Sequence, residues 1–213
     1  MSKIKWKGGA LLAPLPPAIV TCGTVDKPNA LTVGWTGILN THPPKTYVSI
    51  RPSRHSYGMI KESGEFVINL PTKDLVKAAD FCGVRSGKDT DKFAVCGITA
   101  EESTEVTAPS LAESPLSLEC RVTDVIPLGT HDMFMADIVA VTVKEELISA
   151  DGKLRLDKSG LIAYAHGEYY ELGKKIGFFG FSVQKKKKRN NSNQNKPKQQ
   201  YTSTNLKKRG DGK

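Results

Sequence analysis

The feature that most constrains this chain is residues 29–70, NALTVGWTGILNTHPPKTYVSIRPSRHSYGMIKESGEFVINL. Three strand-length runs, at 29–36, 46–51 and 64–71, are rich in β-branched and aromatic residues that alternate with polar ones, which favours extended chain. Proline pairs and Ser63-Gly64 punctuate the joints, so neither helix nor strand continues through them. One short helix fits, opening at Ser53 after the strand that ends at Arg51, weakened by Gly58 and ended by Gly64. Strands this close in sequence pair locally, and the chain is predicted to be mainly β with a few short peripheral helices.

The remainder extends that pattern. Residues 1–15 read as a lead-in or edge strand with Trp6 as an anchor, and 18–25 as a strand turning at Asp26-Lys27-Pro28-Asn29 into the run at 30–36. Prolines 43 and 44 force an extended loop over 41–45. Thr72-Lys73-Asp74-Leu75 is a capping sequence for a helix to Phe81, and a glycine loop at 83–91 leads into another short helix. Gly87-Lys88 lacks the flanking residues of a phosphate-binding P-loop. Residues 98–114 are acidic and polar and are expected to cross the surface; 115–127 and 131–143 alternate as an antiparallel pair. A turn at Asp151-Gly152-Lys153 precedes a tyrosine-bearing run, 161–173, in which Tyr164 and Tyr170 are read as packing residues or as the border of a neighbouring subunit's cleft.

Arg51-Pro52-Ser53-Arg54-His55-Ser56 concentrates two guanidiniums and two hydroxyls at a helix start. The first helical turn has unpartnered N–H groups and partial positive charge, so that end accepts an anion such as phosphate. Arg51 and Arg54 add charge-assisted bonds, and Ser53 and Ser56 hydroxyl bonds. The same residues also serve as an ordinary cap beside solvated charge. Small residues at Ala30 and Gly34 let a flat ligand approach the neighbouring strand.

The order N-A-L-T-V-G-W, then R-P-S-R-H-S, then G-E-F-V-I-N-L-P resembles the flavin reductase-like, FMN-binding split-barrel family, most closely its flavoredoxin branch. The resemblance spans roughly residues 10–173. It implies a Greek-key split β-barrel, usually a homodimer, with FMN held near the subunit interface. It implies that Arg51, Ser53, Arg54 and Ser56 hold the phosphate, and that Asn29, Ala30, Leu31, Thr32 and Trp35 line the flavin ring. By resemblance alone, Ser86, Gly87 and Lys92 are further contacts, although a capped loop with solvated charges accounts for them equally. His131 is either a structural histidine or one that faces the flavin or a nicotinamide. NAD(P)H or a redox partner protein would supply electrons; a pure electron carrier is the alternative.

Charge divides the chain into two expected parts. Residues 1–182, the FMN-binding domain, carry 20 Lys/Arg and 21 Asp/Glu, whereas residues 183–213 carry 11 and one and read as a disordered basic tail. A polyanion-binding role for that tail is a weaker alternative, with nucleic acid not expected as the principal partner. Cys22, Cys82, Cys96 and Cys120 match no metal-ligand spacing and are expected to be free thiols. No metal site, catalytic triad or paired-carboxylate signature is evident. The apolar run after Lys7 is too short for a signal peptide and is broken by prolines, no run reaches membrane-spanning length, and a cytoplasmic location is expected.

Overall fold

The computed structural model describes residues 1–184. The chain divides into two compact units, Met1–Gly173 and Lys174–Lys213. In the second unit the described part holds one 3-10 turn, Phe181–Val183. The predicted basic tail lies, from residue 185 onward, outside the described residues.

The first unit contains β1 (Ala18–Gly23), β2 (Pro28–Val33), β3 (Thr36–Thr41), β4 (Pro44–Ile50), α1 (His55–Ser63), β5 (Glu65–Asn69), α2 (Val76–Val84) and α3 (Lys92–Cys96). There follow β6 (Ala100–Glu101), β7 (Ser110–Leu111), β8 (Leu116–Pro127), β9 (Asp132–Val143), β10 (Ile162–Ala165) and β11 (Glu168–Glu171). Seven strands form one sheet in the order β2-β1-β5-β8-β9-β4-β3, every pairing antiparallel. The jump from β4 through α1 to β5 carries the chain across the sheet, which makes the connection a Greek key.

The sheet curls around an interior built from alternate positions: Ala18, Val20 and Cys22 on β1, Val48 and Ile50 on β4, Phe66 and Ile68 on β5, Phe134 and Ala136 on β9. α1 closes this core with Ile60, fully buried, and with Tyr57, whose ring meets Phe134 edge-on at 5.2 Å. The intervening positions Ile19 and Ala30 face outward and are covered by α2 and α3 through Leu75, Ala79, Cys82 and Phe93. Because β1 is buried on both faces, its sequence is a nearly continuous apolar run with imperfect alternation.

Several predicted boundaries move. The single strand expected at 29–36 is two strands broken at Gly34-Trp35, and the loop expected at 41–45 is a tight β3–β4 connection with Thr41 paired to Pro44. Pro44 is tolerated as the first residue of β4, where no ladder donor is required of it. α1 is capped by Arg54 without a side-chain bond, so Ser53 lies one residue before the cap and does not open the helix. Thr72 is the N-cap of a 3-10 turn, Lys73–Leu75, that leads into α2; its carbonyl accepts from Leu75 N, its side chain makes no cap bond, and its backbone also pairs with Leu161.

The segment 98–114 is more than a surface traverse: Ile98, Val106, Ala108 and Leu111 are buried. Its polar sequence obscures this because acceptors on the sheet's outer face satisfy its amides. The fully buried Glu119 accepts from Thr104 N (3.0 Å), Thr104 Oγ1 (2.9 Å) and Glu105 N (2.6 Å). Glu65 accepts from Thr107 N and Oγ1, both at 2.7 Å, and Asn69 Oδ1 from Leu111 N at 2.9 Å. These bonds remove the penalty of burying an unpaired backbone.

Candidate functional site

Two adjoining cavities lie where β2, the end of β4, the start of α1 and the end of α2 converge. The smaller, about 270 Å³, is a cationic cradle bounded by Arg51, Ser53, Arg54, Ser56, Ser86, Gly87 and Lys92, with Leu31, His55 and Arg85 completing it. The larger, about 590 Å³, is a cleft bordered by residues 31–35, Arg51, Arg54 and His131. It is also lined by Asp80, Gly83 and Val84 of α2 and by Tyr164, Gly167 and Tyr169 of the β10–β11 hairpin. Leu31, Arg51 and Arg54 border both, so the cavities are continuous.

The cradle's geometry follows from how α1 and α2 end. The Arg54 guanidinium donates from Nη2 to Gly83 O at 2.6 Å, satisfying a carbonyl in the last turn of α2 that lacks an intrahelical partner. Lys92, only 4% exposed, donates from Nζ to Ala30 O (2.6 Å) and Cys82 O (3.1 Å). An ammonium has three protons, so one remains for a ligand in the cradle. Burial lowers the Lys92 pKa, with a contribution from Arg54, while the nearby thiols oppose the shift. An incoming anion offsets that cost.

Asn29 and Ala30 do not border the cavities. Asn29 Nδ2 donates to the buried Ser56 Oγ at 2.6 Å, sewing β2 to α1 behind the cradle. Ala30 is fully buried against α2 and α3 and contributes only its carbonyl, to Lys92. Gly87 has a packing reason: a methyl there would sit 2.8 Å from Asn29 Cγ, closer still to Oδ1, and 3.2 Å from His55 Cδ2.

On the cleft side, Trp35 is 41% exposed and tilted against His131, ring centroids 4.4 Å apart. Arg51 Nε–H donates to His131 Nε2 at 3.4 Å, which places the imidazole proton on Nδ1, 3.0 Å from Thr130 Oγ1. Burial, then Arg51 and Arg54, depress the His131 pKa, which favours the neutral ring. Thr32 Oγ1 is buried without a hydrogen-bond partner, and Thr32 borders the cleft. An orphaned hydroxyl there fits a ligand that brings a polar partner.

Sequence reasoning missed Arg85 and His55 in the cradle and Asp80, Gly83 and Tyr169 in the cleft, whereas Gly34, marked as a small residue beside a flat ligand, does line the cleft. Asp80, Gly83 and Val84 have the i, i+3, i+4 spacing of one helix face, a signal readable once that face is known to be uncovered. Tyr164 borders its own chain's cleft, whereas Tyr170 is 49% exposed and bonded to Glu168. Among the described residues, no group of three or more His, Cys, Asp or Glu is placed to hold a metal ion, and no helix is long and apolar enough to cross a membrane.

The curled antiparallel sheet, with a cationic cradle opening into a partly aromatic cleft, is a split β-barrel. The chain belongs to the flavin reductase like domain family, whose model matches residues 12–173. Its structure is similar to flavoredoxin of Desulfovibrio vulgaris (Miyazaki F), at 30% identity and a TM-score of 0.79, over 86% of this chain and 100% of that one. It is also similar to flavoredoxin from Methanosarcina acetivorans, at 28% identity and a TM-score of 0.77, with the same coverage. Among its relatives, the NADPH-flavin oxidoreductase of Streptomyces viridifaciens is 27% identical over 59% of this chain and 65% of that protein.

Proposed function

We propose that this chain binds FMN and transfers electrons through it, taking them from NAD(P)H or from a redox partner protein. The observation that carries the reading is the continuity of the cradle and the cleft through Leu31, Arg51 and Arg54, which suits a ligand with an anionic head and a flat ring. Arg51, Ser53, Arg54, Ser86 and the spare Lys92 proton would hold the phosphate, with Ser56 and Gly87 shaping its floor. Leu31, Thr32 and Trp35 would line the ring, and Asn29 and Ala30 act behind them by fixing Ser56 and Lys92.

Bound flavin supplies the redox chemistry, so the protein's work is binding, orientation and electrostatics. The cradle neutralises a phosphate within preformed donors, at little reorganisation cost. Neutral His131, fixed by Arg51 and Thr130, presents a polarisable edge beside Trp35 without adding a positive charge. Thr32 offers a hydroxyl that folding leaves unsatisfied.

The NADPH-flavin oxidoreductase among the relatives supports an NAD(P)H-dependent enzyme; the two flavoredoxins support an electron carrier served by a protein donor. A homodimer is part of either reading, and exposed Trp6, Leu12 and Ile38 supply apolar surface for it. Stopped-flow mixing of FMN-loaded protein with NADH or NADPH tests the choice. Bleaching of the flavin absorbance at a rate that saturates with nucleotide is expected for the enzyme, and oxidised flavin that persists for minutes excludes it. Arg51→Ala with Ser53→Ala should strip FMN during purification, and full retention overturns the phosphate assignment.

A further inference from the structure

The cleft's lining carries charge of both signs, and only the cationic residues are explained by an anionic cofactor. Arg51, Arg54 and His131 line the cleft, and the two arginines also border the cradle. Asp80, an exposed residue of α2, lines the same cleft, as do Leu15, Val84, Tyr164 and Tyr169. Asp80 takes part in none of the ion pairs among the described residues. A carboxylate without a cation, facing a cavity built to receive an anion, is a cost to that ligand.

The tyrosines make the carboxylate directional. Tyr164 and Tyr169 face each other across the β10–β11 ladder with ring centroids 5.2 Å apart. Tyr164 also exchanges backbone bonds with Leu15, and its ring reaches the Gly34 position, 3.9 Å from where a Cβ there would stand, so the hairpin lies next to residues 31–35. Tyr169 donates its hydroxyl to Asp80 Oδ1 at 3.4 Å. Burial, and then Asp80 itself, push the Tyr169 phenol up to about 12, so it remains a donor at neutral pH. Asp80 Oδ2 has no hydrogen-bond partner among the described residues, and Asp80 shares the cleft's lining with two aromatic rings, whose faces attract cations.

We infer that Asp80, Tyr164 and Tyr169 form a subsite for the second reactant, selecting flat aromatic molecules that carry a positive charge or a hydrogen-bond donor at one edge. This deepens the proposed function: the cradle holds the cofactor and the tyrosine subsite chooses its electron partner. Anionic aromatics are disfavoured there by Asp80, and neutral ones gain ring contact alone.

The test uses matched probes at pH 8, the cation N-methylquinolinium and its neutral counterpart quinoline, titrated by NMR into the full-length protein with and without saturating FMN. The expected result is a cation affinity roughly 5- to 10-fold above the neutral probe. Asp80→Asn should erase the preference without changing quinoline affinity, and Tyr164→Leu should weaken both probes. Equal affinities in the wild type, a preference that survives Asp80→Asn, or loss of cation binding when FMN is loaded each overturns the subsite. FMN titration of the same samples keeps the two readings apart. A protein that binds no FMN yet shows the Asp80-dependent preference loses the cofactor reading only; one that binds FMN without the preference loses the subsite only.

Discussion

Replacing Gly87 with alanine tests the architecture behind the cradle. The new methyl would lie 2.8 Å from Asn29 Cγ, whereas carbon atoms pack best at about 3.5–4.0 Å, so the Asn29 amide must retreat by roughly 1 Å. That movement stretches the 2.6 Å bond from Asn29 Nδ2 to Ser56 Oγ beyond hydrogen-bonding range. Asn29 and Ser56 are 7% and 2% exposed, so water does not replace the bond. A buried polar group left unpaired costs about 1–3 kcal/mol and overpacking about 1–3 kcal/mol; the combined loss is expected at about 2–4 kcal/mol. With a urea m-value of about 2 kcal/mol/M, the unfolding midpoint falls by roughly 1–2 M. In an Asn29→Ala background only the milder 3.2 Å contact with His55 Cδ2 remains, and Gly87→Ala should cost about 1 kcal/mol or less, which makes the coupling energy the diagnostic quantity. Urea unfolding of the four proteins of this cycle measures it. Additive effects, or a Gly87→Ala protein as stable as wild type, would refute the argument that Gly87 is required by Asn29.

Glu119→Gln removes acceptor capacity from a fully buried group that serves three donors, and should cost about 2–4 kcal/mol, read as a lower urea midpoint and faster amide exchange at Thr104 and Glu105. Thr32→Val should leave stability within about 0.5 kcal/mol, because the hydroxyl is unpartnered, while weakening FMN binding measured by fluorescence quenching. Burial lifts the thiol pKa of Cys22 to about 11 and of Cys82 to about 12, so both should resist iodoacetamide at pH 8 in the native protein and react after unfolding. The depressed His131 pKa means that the unfolded chain takes up this proton before the folded one. Its contribution to stability is therefore present above the ordinary histidine value of 6.5 and diminishes as pH falls below it. An NMR titration should place the His131 midpoint under 6.5, and Arg51→Ala should raise it.

The elements legible in the sequence were those whose identity is a local matter. Alternation in 115–127 and 131–143 marked β8 and β9, and Gly64 marked the end of α1, where its φ of 69° requires a residue without a Cβ cost. That Arg51, Ser53 and Arg54 stand together was readable because a strand end followed by a polar helix start is a local arrangement, and they line one cavity. What stayed hidden depends on partners distant in the chain. The burial of 98–114 is set by Glu65, Asn69 and Glu119, whose carboxylate and amide oxygens replace the apolar residues that usually advertise a buried segment. Asp80 and Tyr169 are 89 residues apart and read separately as a helix surface and a strand end. Lys92 had the signature of a solvated charge; its burial requires two backbone carbonyls, Ala30 and Cys82, that no side-chain pattern reveals. Ser53 was assigned as the helix opener because serine favours that position, but the cap is Arg54, whose guanidinium bonds to Gly83.

The central claim is that the Arg51–Arg54 corner grips a phosphate while the adjoining cleft takes a flavin ring, and comparing FMN with riboflavin isolates it. Titrating flavin-free protein with each by fluorescence quenching should show FMN binding at least about 100-fold tighter, the worth of two or more charge-assisted contacts, with the ratio collapsing in Arg51→Ala/Ser53→Ala. Equal affinity for the two flavins, or a ratio unchanged by that double substitution, would contradict the account.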